Sequence, residues 1–141
     1  MNRYGNEVFS EREYRDWHTE RIPFPLDLRW LSHMGMFRLL ANFVYKAECS
    51  KTACAMKEFV TDLGSIPAPL RMFLSVNEWA EAFVIHDWAC EHQTWADGLP
   101  MSQKEADGLL KEIALYTGHS KWKVYPAYWL VRAYSATIKR W

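Results

Sequence analysis

Residues 63 to 69 read Leu-Gly-Ser-Ile-Pro-Ala-Pro, a stretch that neither a helix nor a strand can run through. Each proline removes a backbone donor and holds the residue before it extended, while Gly64 and Ser65 favour a turn. Before this break the text is rich in β-formers; after it, apolar residues recur at helical spacing. The expected class is therefore α+β and mainly helical: an N-terminal helix, a β-hairpin and then three packed α-helices. One domain spans 1–141, divided into an N-terminal helix and connector (1–36), a β-hairpin (37–62), and a loop and helical core (63–141).

Val8, Phe9, Tyr14 and Trp17 fall at near-helical spacing among charges, which predicts a short amphipathic helix over 7–20. Ile22-Pro23-Phe24-Pro25-Leu26 follows as a connector. The hairpin takes one strand from Phe37 to Glu48, turns at Cys49-Ser50-Lys51-Thr52 and returns from Ala53 to Asp62, so Asp62 stands where strand gives way to loop. The first core helix is expected from Asn77, as N-cap, to Thr94, with Trp79, Phe83, His86 and Cys90 on its buried stripe. Ser102-Gln103-Lys104-Glu105 makes a capping box that opens the second helix, and Gly118 ends it. The third begins near Pro126, a residue suited to a first turn, and reaches Trp141 as packing material.

Charge narrows the possible partners. Seventeen lysines and arginines balance 17 aspartates and glutamates, which removes the broad positive field that draws a protein to nucleic acid. No run of about 18 apolar residues exists to form a transmembrane segment. The charged start Met1-Asn2-Arg3-Tyr4 does not read as a signal peptide, so a soluble, intracellular protein is expected. Cys49, Cys54 and Cys90 are an odd set without a Cys-x-x-Cys pair. Reduced thiols are expected, although Cys49 and Cys54 could face each other across the hairpin.

Ionisable groups on apolar helix faces point to chemistry, because burying one without a partner costs several kcal/mol. His86 and Asp87 are about 100° apart on one helix, so they can reach one cavity edge but cannot bond head-on. Asp107 shares a helix face with Leu110 and Ala114. From there it can accept from one imidazole nitrogen of His86, fixing the tautomer and leaving the other nitrogen as a base. Asp87 is then available to a cation, and Asp62 with the carbonyls of Leu63 or Gly64 adds the hard oxygen ligands that calcium prefers. A structural account stands beside this one. Asp107 can serve the dipole of a first helical turn, and Asp62 can cap its own turn.

Taken in order, Thr61-Asp62-Leu63-Gly64-Ser65-Ile66-Pro67, Ala82-Phe83-Val84-Ile85-His86-Asp87-Trp88 and Ala106-Asp107 resemble a family of uncharacterised phage and prophage proteins, domain of unknown function 1353. That pattern is Thr-Asp-x-x-Ser-x-Pro, a His-Asp helix and a later Ala-Asp helix. Thr61, Ser65 and Pro67 take the place of its structural loop. The resemblance implies a phage or prophage origin, with synthesis in a host cytoplasm, but no established activity; association with a virion and other phage structural proteins as partners go with a structural role. More distantly, the order is similar to small bacterial phospholipases of the A2 class. That likeness implies His86 as base and Asp107 as its orienting carboxylate, Asp87, Asp62 and the Leu63-Gly64 loop as calcium ligands, and a lipid or another acyl compound as substrate. Those enzymes carry disulfides, and a tyrosine where this chain has Cys90.

Other chemistries find no footing. His18, His33, His92 and His119 lack the spacing that brings two histidines onto one zinc, and neither a phosphate loop nor a Gly-x-Ser-x-Gly elbow is present. The expectation is a calcium-dependent His/Asp hydrolase acting on an ester or acyl bond. The alternative is a non-catalytic phage structural or assembly protein in which the same cluster is a polar network.

Overall fold

A computed structural model describes residues 20–62 and 79–138. It is α+β, with two small antiparallel sheets followed by three helices. The helix expected over 7–20 and the Asn77 cap lie outside the described residues.

The strands are β1 (Leu28–Leu31), β2 (Met36–Leu39), β3 (Phe43–Lys46), β4 (Thr52–Ala55) and β5 (Val60–Thr61). They form a three-stranded sheet in the order β1-β2-β5 and a separate β3-β4 hairpin. The single hairpin expected over 37–62 is thereby revised. Phe37 to Glu48 is not one strand, since the backbone bends at Leu40-Ala41 and its second half enters the other sheet. Asn42, a poor strand residue, sits at this corner and uses its side-chain oxygen to accept the Lys57 N–H at 2.7 Å. The inner hairpin does turn at the polar residues, with Val44 opposite Cys54; Cys49 lies in the turn, and the two thiols are unbonded. β1 falls inside what the sequence reads as connector. Leu28 pairs with Leu39 and Leu31 with Met36, across a turn whose Gly35 has φ of 66°, a conformation costly for any residue with a Cβ.

The helices are α1 (Ala80–His92), α2 (Gln103–Tyr116) and α3 (Lys121–Ile138). α1 is buried at five consecutive positions from Ala82 to His86, so its middle is covered on every side, while Glu91 and His92 at its end are exposed. It packs against α2 and β4, and α2 packs against α3. The core runs from Leu39, Phe43 and Tyr45 of the sheets through Trp79 and Ile85 to Leu110, Ile113 and Val124. α2 starts as the sequence predicts: the Ser102 hydroxyl accepts from Glu105 N–H and the Glu105 carboxylate accepts from Ser102 N–H, both at 3.1 Å. α3 begins a turn and a half earlier than expected. Ser120 Oγ accepts the Trp122 N–H at 3.2 Å, and Pro126 lies inside the helix on its exposed side, where one donor is forgone.

Because the capping box joins two orphan donors of α2 to two side chains, Ser102→Ala is expected to lower unfolding free energy by about 1 kcal/mol. Urea denaturation measures this, with the midpoint falling and the slope unchanged.

Candidate active site

The site begins with a carboxylate that has no access to water. Asp107 is 0% exposed, on the face of α2 turned toward its neighbours. Its Oδ1 lies 2.7 Å from His86 Nε2 of α1, and its Oδ2 accepts from Arg132 Nη1 of α3 at 2.9 Å. An ionised carboxylate only accepts, so Nε2 carries the hydrogen of the first bond and Nδ1 is the remaining ring nitrogen. One acid thus draws together side chains from α1 and α3 onto α2.

His86 is 9% exposed. Burial alone would lower its pKa, but the Asp107 hydrogen bond, with a smaller contribution from Cys90, outweighs that effect and raises it from 6.5 to about 10. Cys90, one turn along α1, places Sγ 3.7 Å from Nε2 and 3.9 Å from Nδ1, at the edge of the ring.

Asp87 follows His86 but faces elsewhere. Its Oδ2 accepts from the Thr61 hydroxyl at 2.5 Å, a bond that ties the end of β5 to α1. Asp62, the next residue of the chain, is exposed. Thr61, Asp62, Asp87, Cys90 and Glu91 line a hollow of about 350 Å³, closed on its apolar side by Met36, Phe59 and Val60. Of the residues singled out in the sequence, the structure therefore forms two adjoining groups. The buried group is His86 with Asp107; the surface group is Asp62, Asp87 and Thr61. Leu63, Gly64, Ser65 and Pro67 lie outside the described residues. Among the described residues no three acidic, histidine or cysteine side chains stand close enough to share one metal ion. A larger hollow of about 690 Å³, lined by Tyr45, Trp95, Glu105 and Glu112, lies on the opposite side of α2 from Asp107.

Arg132 was not among the candidates. Its signal is present in the sequence, because it is the sole charged residue between Val124 and Ile138, within a helix that otherwise reads as packing material. A lone cation in such a run needs an anion, and the nearest buried one belongs to α2.

Fold and site together define an α+β protein with a buried His-Asp-Arg chain behind a surface hollow lined by carboxylates. The chain belongs to the family described as a protein of unknown function, DUF1353, whose model matches residues 37–131 and so includes Asp62, His86, Asp87 and Asp107. No curated protein and no solved structure matches the chain.

Two outcomes follow from the geometry. Arg132→Ala leaves Asp107 with His86 but without its second cation. Stability should fall by roughly 2–3 kcal/mol, short of the about 3–5 expected when a buried ion pair is broken outright. Urea titration reads the loss. The second concerns pH. Because the folded-state pKa of His86 is raised, its protonation adds stability that is full below pH 6.5 and is lost as pH climbs toward about 10. Melting temperature followed across that window in chelator should decline in the native protein, and His86→Gln should flatten the decline.

Proposed function

We propose that the chain is a His/Asp hydrolase that cleaves an ester or related acyl bond. The observation that carries this reading is the 2.7 Å bond between His86 Nε2 and a fully buried Asp107, one helical residue from an acid on an open hollow. A base must be held in one tautomer and one orientation, and both are set here from the side of the ring away from Nδ1. The step needs the neutral imidazole, which positive charge in the hollow would favour against the raised pKa; its Nδ1 then takes a proton from water as that water attacks the carbonyl carbon, and returns it to the departing alkoxide. Asp107 is a positioning residue that also stabilises the imidazolium, and Arg132 keeps the acid from turning. The positioned base contributes about 10²- to 10⁴-fold.

The surface carboxylates bear on calcium. Asp62 and Asp87 line one hollow and offer hard oxygens, the donor type that calcium takes. They would hold the ion together with the carbonyls of Leu63 and Gly64. When bound, calcium supplies positive charge to the oxyanion formed at the attacked carbonyl. The ordered motifs that carry the phospholipase likeness support this division of roles, and their likeness to phage and prophage proteins supports a phage source with association to the virion.

A second reading is favoured by the closure of the pair: both Asp107 oxygens are engaged, and the Asp87–Thr61 bond links strand to helix. Here the protein is a structural or assembly component of the phage and the network only stabilises it.

One experiment separates the two. Under the hydrolase reading, release of nitrophenol from a short-chain acyl ester depends on calcium, and His86→Asn lowers kcat/KM by about 10²-fold or more with little change in melting temperature. No turnover in the native protein with calcium, together with a large fall in melting temperature for Asp87→Ala that neither calcium nor chelator alters, leaves the structural reading in its place.

A further inference from the structure

Helix α3 turns two very different sides outward and inward. Val124, Ala127, Tyr128 and Val131 are buried against the core. On the other side Trp122 is 91% exposed, Trp129 65% and Tyr125 42%. These three fall at i, i+3 and i+7, which places them on one face as a continuous aromatic ridge. Scattered apolar residues on a surface need no explanation, but two nearly bare tryptophans aligned with a tyrosine do.

The charges beside the ridge say what covers it. Lys121 and Lys123 flank Trp122 on either side, and both are exposed. Lys111 of α2 sets its ammonium 5.5 Å from the centre of the Tyr125 ring. From Lys121 to Ile138 there is no acidic residue, although the whole chain is electrically balanced. Along α3 itself the charge is therefore wholly positive, and the acids Glu48, Glu105 and Glu112 lie in the hollow that Tyr125 borders on one side of the ridge. In a two-fold contact between copies the ridge would meet itself, and a helix without acids offers those lysines no counter-charge. An anionic surface does. Tryptophan and tyrosine seat their amphipathic rings at the level of lipid headgroups, while each lysine near an anionic bilayer adds attraction. None of the described helices is long and apolar enough to cross a membrane, so α3 would lie on it.

We infer that the Trp122-Tyr125-Trp129 ridge, with Lys111, Lys121 and Lys123, docks the protein on an anionic lipid surface. The inference rests on α3 and on Lys111 of α2, not on the hydrolase reading, since binding needs neither His86 nor a metal.

The test is sedimentation with vesicles in chelator, where calcium-dependent turnover cannot contribute. Vesicles of phosphatidylcholine with one third phosphatidylglycerol are expected to carry down the native protein at least tenfold more strongly than pure phosphatidylcholine, and added salt should weaken the binding. Tryptophan emission should shift to the blue on binding. The double variant Trp122→Ala/Trp129→Ala should lose most of the binding, and Lys121→Glu/Lys123→Glu should abolish the preference for the anionic lipid. A circular-dichroism melt of each variant checks that it is folded. Equal or absent binding to both vesicles, or a native dimer in solution that Trp122→Ala dissolves, overturns the proposal, the latter in favour of self-association.

Discussion

Everything in the helical half of this protein is arranged around a carboxylate that water cannot reach. Asp107 has no exposure, and an ionised acid in that position is tolerable only if donors fill its lone pairs. His86 comes from α1 and Arg132 from α3, so one side chain on α2 fixes the rotation of two neighbouring helices. Apolar packing alone would leave such rotations less determined, because Leu109, Leu110 and Ile113 present a surface that several registers could satisfy. The ion pairs need not contribute net stability. A well-packed apolar set of the same volume could do as well or better, while removal of one partner is destabilising. Their retention makes sense if the imidazole they orient has a use.

That orientation has a direction. α1 is buried on nearly every side, and its two adjacent polar residues point about 100° apart. His86 looks inward to Asp107, whereas Asp87 looks outward to Thr61 and the hollow shared with Asp62. A single residue step along α1 thus separates a dry, charge-compensated pair from a wet, anionic rim. The raised pKa of His86 belongs to the dry side, where the Asp107 hydrogen bond overcomes the penalty of burial. Under the hydrolase reading positive charge in the hollow opposes the imidazolium and so favours the neutral base. Under the structural reading nothing opposes it, and the pair remains an internal ion bridge.

Local rules made the capping box, the inner hairpin turn and the buried position of His86 legible, because each depends on residues within a few positions of one another. The two-sheet arrangement was not legible. Leu28-Arg29-Trp30-Leu31 has no clean alternation, and its strand exists because Met36–Leu39 lies ready to pair with it across the Gly35 turn. The bend at Leu40-Ala41 was hidden for a related reason: Phe37 to Glu48 is uniformly strand-like in composition, and only the pairing of β5 with β2 and of β4 with β3 decides where it breaks. At the site, the His86–Asp107 meeting follows from an ionisable side chain buried on each of two helices that pack together. Arg132 is harder to read, because aromatic residues dominate its surroundings and the anion that it needs lies 25 positions away on another helix.

α3 connects the inside of the molecule to its most unusual surface. Arg132, which holds Asp107, is one turn from Trp129, the ridge residue beside it along the helix. The inner cation and the outer aromatic side chain therefore share a rigid backbone, and any force that rolls or shifts α3 at the ridge is felt at the carboxylate within one helical turn. Arg132 is itself only partly covered and is the most exposed member of the buried chain. A contact made along α3 would exclude solvent there and strengthen the Arg132–Asp107 bond by lowering the local dielectric, which in turn steadies the acid that orients His86. The proposed docking at the ridge and the order of the imidazole would in this way be linked through one helix, whose sequence reads at first as packing.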